Sequence, residues 1–270
     1  ARYNVRCCLV EATSDVGTGT SKANTAIWHT GFDAKTGTLE CRLLRRSYDL
    51  LAAYMPAAGV PAERLGAVLI AWSDDQFQEL PKILARAHTN GVTDVRMLSI
   101  DEIYQLEPHV SRTALGGLMV PGEGILCTFT LPLALATEAV VNGVDLKLNH
   151  RVEAVSQADG LHVLQTSAGP VTCRFLVNAA GLYSDAIDRM LGHDDFTVTP
   201  RRGELIVFDK FARPLVNHVL LPVPTSITKG VLISPTVFGN VMLGPTAEDL
   251  KDKTDTSTSA KGLDMLWQKG

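Results

Sequence analysis

Four polar residues in this sequence have the chemistry to bind or transform a small molecule. Glu11 follows the apolar run NVRCCLV and therefore ends a predicted strand. His29 lies in GTGTSKANTAIWHTGF (17–32), a segment too polar for a core, and Arg201 and Arg202 are adjacent in VTPRRGELIVF. A strand-end acid can accept hydrogen bonds from ribose hydroxyls, a histidine can accept a proton, and guanidinium groups bind phosphate or carboxylate bidentately.

Each of these residues also has a purely structural interpretation. Glu11 could be a surface acid at a strand end, and His29 could be a histidine whose hydrogen bonds are satisfied within the fold. One or both arginines could face solvent in a strand. The residue types alone leave the binding and structural roles open.

Two further segments are typical of places where the backbone approaches a phosphate. Thr20 and Ser21 lie beside successive backbone N–H groups that would bind an anion near a helix start, although an ordinary helix cap has the same pattern. Residues 175–187, FLVNAAGLYSDAI, predict an apolar strand, a turn of small residues and a helix. Gly181 can adopt any φ at that turn, which could equally be a tight strand-to-helix connection without a ligand.

The spacing of apolar residues predicts the elements that position these segments. Helices are expected over about 38–55, 73–90, 99–107 and 130–142, with a capping box from Ser99 to Glu102. Strands are expected at 4–11, 66–72 and 95–99, a β-meander over about 144–181, and an antiparallel sheet from Thr197 onward. The change from alternating helices and strands to consecutive strands predicts a second domain.

Composition narrows the function classes. A net charge of -4 with 20% charged residues offers no basic surface for nucleic acid or an anionic membrane, so a small molecule is the expected partner. We expect the cysteines to be reduced and mostly buried, with no metal site, because they form no CxxC pair and no His cluster accompanies them. They are Cys7, Cys8, Cys41, Cys127 and Cys173. The sequence contains no apolar run of about 18 residues, so no transmembrane segment is expected. We expect a cytoplasmic location and leave peripheral membrane association open.

Several sequence blocks occur in the order seen in a known flavoprotein family. They are LVEA, TSKANTAIWHTGFDAKTGTLE, LEP, GVDLKLNHRVEAV, LVNAAG followed by Ser184 and Asp185, PRRGE and LGPTAED. Together they resemble the D-amino-acid-oxidase-type FAD superfamily and, within it, the anaerobic glycerol-3-phosphate dehydrogenase-like group. The resemblance covers nearly the whole chain, but L-2-hydroxyglutarate dehydrogenases share several of the blocks.

The resemblance implies an α/β (α+β) fold with two interleaved domains. Residues 1–58 and 121–194 would form an FAD/NAD(P)-binding, Rossmann-like domain with a β-meander, and residues 59–120 and 195–270 an antiparallel-sheet substrate-binding domain. In the family, a GxGxxG loop precedes the strand that corresponds to NVRCCLVEA, and a Gly-rich segment contacts the flavin near the C-terminus. Neither occurs in this sequence, so the resemblance implies a cofactor domain truncated at both ends.

The resemblance also implies roles for individual residues, with FAD as the cofactor. Glu11 would bind the adenosine ribose, His29 and Gly31 would lie near the isoalloxazine, and the backbone of Val152 would contact the adenine side. The pyrophosphate and flavin would be lined by Thr20, Ser21, Asn24 and Thr25, and the FAD groove would be closed by Ala179, Ala180 and Gly181. Substrate contacts would come from Arg201, Arg202, Gly203 and Lys229.

The reaction implied by the resemblance is the oxidation of a small anionic secondary alcohol by hydride transfer to the flavin. His29 would take the hydroxyl proton, Arg202 or Arg201 would hold the anionic group, and electrons would pass on to a quinone or an electron-transfer subunit. Two other classes stay open. One is a nicotinamide-dependent dehydrogenase, which the β-meander and the late antiparallel sheet disfavour, and the other is a non-catalytic fragment that no longer retains FAD.

Overall fold

The computed structural model describes residues 4–224 and 230–269, which contain six α-helices. These are α1 (Leu39–Ala57), α2 (Asp74–Thr89), α3 (Ile100–Leu106), α4 (Thr130–Val141), α5 (Ser184–Met190) and α6 (Ala260–Lys269). Short 3₁₀ helices span Gly181–Tyr183 and Lys210–Leu215.

The strands of the described residues are short, and most have three to five residues. In chain order they are β1 (Cys8–Val10), β2 (Ile27–Trp28), β3 (Ala62–Glu63), β4 (Ala67–Ala71), β5 (Arg96–Leu98), β6 (Gly116–Val120), β7 (Gly124–Leu126), β8 (Asp145–Lys147), β9 (Val152–Ala158), β10 (Leu161–Thr166), β11 (Gly169–Cys173), β12 (Arg201–Arg202), β13 (Ile206–Phe208), β14 (Val219–Pro222), β15 (Leu232–Pro235), β16 (Val241–Gly244) and β17 (Glu248–Asp249).

The helix starts follow the predicted capping chemistry. Before α2, the Ser73 hydroxyl accepts a hydrogen bond from the backbone N–H of Gln76. The capping box at α3 is confirmed, because Ser99 Oγ accepts from Glu102 N while the Glu102 carboxylate accepts from Ser99 N at 2.8 Å. That backbone hydrogen bond, together with Arg96, lowers the pKa of Glu102 to about 2.

The chain forms two compact units, each built from separate stretches of sequence. Among the described residues, unit 1 comprises 4–24, 128–201 and 249–255, and unit 2 comprises 25–127, 202–224, 230–248 and 256–269. These limits differ from the predicted domain boundaries, since residues 25–58 and 121–127 lie in unit 2. The reason is strand pairing: β2 and β3 both pair with β7, which joins all three strands in one small sheet.

Unit 2 is organised around a mixed seven-stranded sheet in the order β13-β16-β15-β14-β4-β6-β5. Strand β4 is buried at all five positions and lies between β14, to which it is parallel, and β6, to which it is antiparallel. Leu80 and Ile83 of α2 pack in the same core cluster as Leu69 of β4. The predicted antiparallel pairing is confirmed for β13, β14, β15 and β16, whereas the parallel β4–β14 pair joins them to the earlier strands.

Unit 1 contains a parallel pair, β1 with β8, and an antiparallel meander in the order β11-β10-β9. The predicted meander is therefore confirmed over 152–173 only. The expected strand at Phe175–Asn178 is wrong, because this segment is irregular and Phe175 and Val177 are 87% and 83% exposed. No described strand offers it backbone partners, and an isolated strand is not stable in water.

The expectation of mostly buried cysteines is also wrong at one end of unit 1. Cys41 and Cys127 are buried, but Cys7 and Cys8 are exposed on and beside β1. Strand β1 has β8 as its pairing partner among the described residues, and its first two residues, Cys8 and Leu9, are exposed. The five cysteines form no disulfide among the described residues. Partial desolvation of the thiol raises the pKa of Cys8, and Asp145 adds to the effect.

Candidate functional site

Glu123 is the centre of a buried polar cluster in unit 2. Its Oε1 accepts hydrogen bonds from the backbone N–H of Thr30 at 2.6 Å and from the Thr30 hydroxyl at 2.7 Å. Its Oε2 lies 2.9 Å from Nδ1 of His29. The Glu123 side chain is 0% exposed and that of His29 is 41% exposed. The cluster thus joins a carboxylate shielded from water to an imidazole that solvent or a ligand can reach.

Two glycines allow the chain to place Glu123 at this point. A Cβ on Gly124 would lie 2.6 Å from the carbonyl oxygen of Glu63, and a Cβ on Gly122 would lie 2.8 Å from Thr30 Cγ2. Neither position has room for a side chain, so the sequence Gly-Glu-Gly is needed for the close approach. The antiparallel pairing of β2 with β7 then brings His29 and Thr30 beside Glu123.

Aromatic and arginine side chains brace this cluster. The rings of Trp28 and Tyr48 stack with centroids 4.7 Å apart, and the Arg64 guanidinium lies 4.9 Å from the Trp28 ring centroid. Tyr48 donates a hydrogen bond to the Gly122 carbonyl at 2.7 Å, and burial raises the pKa of its phenol. Arg45 donates to the Thr30 carbonyl at 3.0 Å. These contacts limit the movement of the backbone on both sides of the His29–Glu123 contact.

A second carboxylate–histidine pair lies elsewhere in unit 2. Glu107 is 0% exposed and accepts hydrogen bonds from the backbone N–H groups of Asn217, at 3.1 Å, and His218, at 2.6 Å. Its Oε1 also lies 2.7 Å from Nδ1 of His218, a side chain that is only 16% exposed. This pair ties the end of α3 to the start of β14.

In unit 1, Glu11 follows β1 as predicted and lies at the carboxyl end of the parallel β1–β8 pair. Its Oε1 accepts hydrogen bonds from the backbone N–H and the hydroxyl of Thr13, both at 2.8 Å. Among the described residues its Oε2 makes no hydrogen bond, so this oxygen can accept from a ligand. A carboxylate held in this way at a strand end suits ribose hydroxyls.

The loop after Glu11 differs from its predicted form. Residues 16–22 form turns, so no helix begins beside Thr20 and Ser21 in this described segment. The contact of these two residues with an anion stays a prediction. Asn24 Nδ2 donates to the carbonyl oxygens of Thr20 and Ser21, each at 3.0 Å. The Asn24 side chain therefore holds this turn through two backbone carbonyl groups.

The small residues near Ala179 surround a turn held by Asn178. Its Nδ2 donates to the Ser184 carbonyl at 2.8 Å, and its Oδ1 accepts from Ala180 N at 3.3 Å. Gly181 has φ 57°, so the conformational freedom predicted for it is used. Val152 is the first residue of β9. Gly31 has φ 83°, and its carbonyl oxygen accepts a hydrogen bond from Asn90 Nδ2 at 3.0 Å.

Asp185, just after this turn, is a buried and charged anchor of unit 1. It accepts hydrogen bonds from Lys253 Nζ at 2.5 Å and from the backbone N–H groups of Val198 and Ala186. The Lys253 ammonium and these N–H groups lower the pKa of Asp185 to about 2. Its partners are all within the unit, so we interpret Asp185 as a structural residue.

The two predicted substrate arginines both contact carboxylates of the chain. Arg201 makes a bidentate pair with Asp249 at 2.6 and 3.0 Å. Arg202 is 12% exposed and donates to Glu248 at 2.8 Å and to Ser257 at 2.9 Å. A substrate anion would have to compete with these partners, so the substrate role of the arginines stays a prediction. Lys229 lies outside the described residues.

Within residues 4–224 and 230–269, no group of three or more His, Cys, Asp or Glu side chains is arranged to hold a metal ion. The helices of the same residues are each too short or too polar to cross a membrane.

Comparison with known proteins supports the family resemblance drawn from the sequence blocks. Residues 1–270 match the family described as "FAD dependent oxidoreductase". The chain is 35% identical over 266 residues to glycerol 3-phosphate dehydrogenase of Caloramator mitchellensis, covering 98% of this chain and 55% of that protein. It is 30% identical over 277 residues to glycerol 3-phosphate oxidase of Mycoplasma pneumoniae, covering 100% of this chain and 72% of that protein.

A more distant relative and a solved structure complete the comparison. L-2-hydroxyglutarate dehydrogenase of Indibacter alkaliphilus is 28% identical over 248 residues, covering 90% of this chain and 62% of that protein. The structure of dithionite-reduced L-alpha-glycerophosphate oxidase from Mycoplasma pneumoniae, with FAD bound, has a TM-score of 0.92 and 28% identity, covering 98% of this chain and 71% of that one. The chain therefore spans between about half and three quarters of the length of these relatives.

Proposed function

Because the chain belongs to the FAD-dependent oxidoreductase family, we propose that it is part of an enzyme that oxidises glycerol 3-phosphate, a small anionic secondary alcohol. Two relatives at 35% and 30% identity are named for that substrate. The observation in the structure that carries the proposal is the His29–Glu123 contact, in which a buried carboxylate presents a half-exposed imidazole. An oriented histidine of this kind is suited to accept a proton.

The Glu11 side chain fits the cofactor of the family. The Glu11 carboxylate keeps Oε2 available for the ribose hydroxyls, while Thr13 holds Oε1. We propose further backbone and hydroxyl contacts to FAD from Thr20, Ser21, Asn24, Thr25, Gly31, Val152, Ala179, Ala180 and Gly181. When bound, FAD supplies the hydride acceptor, and the chain supplies orientation and proton transfer.

The remaining roles belong to charged side chains. His29 would accept the proton of the substrate hydroxyl. Arg202 would hold the phosphate, with Arg201 and Lys229 as further contributors, since a guanidinium binds a phosphate through two parallel hydrogen bonds. The phosphate would displace Glu248 from Arg202, which replaces one anionic partner by another. Transfer of electrons to a quinone or to an electron-transfer subunit is part of the same proposal.

L-2-hydroxyglutarate is the second candidate substrate. One relative at 28% identity is named for it, and an arginine binds a carboxylate by the same bidentate geometry as a phosphate. Both molecules are anionic secondary alcohols, so the residues considered above suit either one.

Flavin reduction tests the proposal directly. The purified chain is mixed with FAD, freed of excess cofactor, and then exposed without oxygen to glycerol 3-phosphate or to L-2-hydroxyglutarate while the visible flavin absorption is followed. We expect retained flavin that is bleached by glycerol 3-phosphate. Bleaching by L-2-hydroxyglutarate alone would select the second substrate, and a chain that retains no flavin would favour the non-catalytic alternative.

A further inference from the structure

We propose that Glu123 is a positioning residue that fixes which nitrogen of His29 carries the proton. Its carboxylate holds the neutral ring with the proton on Nδ1, which leaves Nε2 as the nitrogen that accepts a proton from the substrate. The catalytic part of this inference rests on the proposed function. The position of the proton on the ring is a property of the chain and can be measured without cofactor or substrate.

The two carboxylate oxygens of Glu123 have different hydrogen-bond partners. Oε1 receives the backbone N–H of Thr30 at 2.6 Å and the Thr30 hydroxyl at 2.7 Å. A backbone N–H can only donate, so Oε1 is fixed as an acceptor. Oε2 is the oxygen that meets Nδ1 of His29, at 2.9 Å.

The carboxylate at Oε2 decides which nitrogen of His29 carries the proton. An ionised carboxylate has no hydrogen to donate, so a hydrogen bond at 2.9 Å requires that Nδ1 donates. In a neutral imidazole, one nitrogen donates and the other accepts, so Nε2 is then the basic nitrogen. Full burial of Glu123 strengthens this preference, because no water competes for Oε2.

The basic Nε2 gives the substrate proton a destination in the proposed reaction. As the substrate is oxidised, its O–H bond breaks and the proton bonds to Nε2, which converts the imidazole to an imidazolium. When bound, FAD would supply the acceptor for the hydride and its electron pair, and the alcohol carbon would become a carbonyl carbon. The negative charge of Glu123 at Nδ1 stabilises the imidazolium, in the manner of the aspartate of a Ser-His-Asp triad.

The isosteric Glu123→Gln variant makes a sharp test because the Thr30 donors predict its orientation. Thr30 will keep the amide oxygen as its acceptor, so the amide NH₂ must face Nδ1 of His29. Nδ1 then becomes an acceptor, and the ring proton moves to Nε2. The substitution therefore reverses the tautomer while keeping the shape of the cluster.

The measurement is a long-range ¹H–¹⁵N correlation spectrum of the 270-residue chain with ¹⁵N-labelled histidine. His29→Asn identifies the His29 signals among those of the seven histidines. In the wild type we expect the ring proton of His29 on Nδ1, and in Glu123→Gln we expect it on Nε2. In the matched control Glu107→Gln, the His29 proton should stay on Nδ1. A wild-type His29 with its proton on Nε2 would overturn the inference even if the variants failed to fold. Retention of Nδ1–H in folded Glu123→Gln would also overturn it.

Flavin reduction separates this inference from the proposed function. In chain loaded with FAD, Glu123→Gln should slow bleaching by glycerol 3-phosphate about a hundredfold or more at saturating substrate, as wrong tautomers do in related dyads, with the half-saturating concentration unchanged. Wild-type chain with the expected tautomer but no bleaching would refute the proposed function and leave the positioning of His29 intact. Equal bleaching rates in both proteins would refute the positioning role and leave the proposed function intact.

Discussion

The two carboxylate–histidine pairs of unit 2 share their chemistry and differ in their surroundings. In each pair a fully buried glutamate accepts a backbone N–H group and meets Nδ1 of a histidine at 2.7–2.9 Å. His29 is 41% exposed, whereas His218 is 16% exposed. A hydrogen-bond pattern alone does not identify a functional histidine, because the same pattern also serves to join two elements of a core.

The neighbours of each pair explain the difference. Glu107 directly follows α3 and its partners directly precede β14, so the contact connects a helix to the central sheet. Glu123 lies between two glycines that have no room for a side chain, beside a polar segment with stacked aromatic rings. We therefore expect loss of the Glu107 pair to lower stability and loss of the His29 pair to lower activity.

The largest expected effect is on stability, from Glu107→Ala. The substitution leaves the N–H groups of Asn217 and His218 and one imidazole nitrogen without their acceptor, at about 1–3 kcal/mol for each unsatisfied buried group. We expect the free energy of unfolding to fall by about 4 kcal/mol in urea titrations. Glu123→Ala should cost about 1 kcal/mol less, because the exposed His29 ring can turn to water. Equal losses in the two variants would show that exposure does not distinguish the pairs.

The second effect is on turnover, from the matched variants His29→Asn and His218→Asn. In chain loaded with FAD, His29→Asn should slow flavin reduction by glycerol 3-phosphate about a hundredfold, which corresponds to about 2.7 kcal/mol of activation free energy. His218→Asn should leave that rate unchanged and instead reduce the free energy of unfolding by about 1 kcal/mol. The reverse outcome would assign the functional role to His218.

A smaller effect is expected from Thr30→Val, which removes one donor to Glu123 while keeping the backbone N–H and the side-chain volume. The buried carboxylate loses one of three hydrogen bonds, so the free energy of unfolding should fall by about 1 kcal/mol. The His29 tautomer should not change, because Oε2 keeps its contact with Nδ1. A change of tautomer in the NMR spectrum of this variant would mean that Thr30 helps to orient the ring.

The last expected effect is on the pH dependence of the free energy of unfolding. It concerns Asp185, a buried carboxylate that is paired with a lysine and not with a histidine. Its pKa is about 2 in the folded chain, below the ordinary 3.8, because of Lys253 and two backbone N–H groups. Its stabilising contribution is therefore complete above about pH 4 and is lost as the pH falls towards 2. As the pH falls over that interval, the free energy of unfolding measured by urea titration should decline less steeply in Asp185→Asn than in the wild type. Identical slopes would contradict the lowered pKa.

The sequence predicted the features that depend on neighbouring residues. The caps at Ser73 and Ser99 depend on residues three positions away, and the apolar run of β4 is sufficient to predict a buried strand. The resemblance to FAD-dependent oxidoreductases, based on ordered blocks, is confirmed for the family.

Features that depend on distant partners were missed. Glu123 lies 93 residues from Thr30 and Glu107 lies 111 residues from His218, so nothing local marks either acid as buried. The Gly-Glu-Gly sequence was the available signal for Glu123, since an acid between two glycines is typical of a close backbone approach. The strand expected at Phe175–Asn178 failed for a related reason, because local β propensity cannot supply a pairing partner.

The position of β4 in the sheet has a consequence for synthesis of the chain. Its parallel partner β14 follows about 150 residues later in the sequence. At about 5–20 residues per second, a ribosome needs roughly 8–30 seconds to supply that partner. During this time the edge of the apolar strand β4 that will pair with β14 has no hydrogen-bond partner. Such edges invite pairing with other nascent chains, and chaperone binding during this interval would favour recovery of the folded protein.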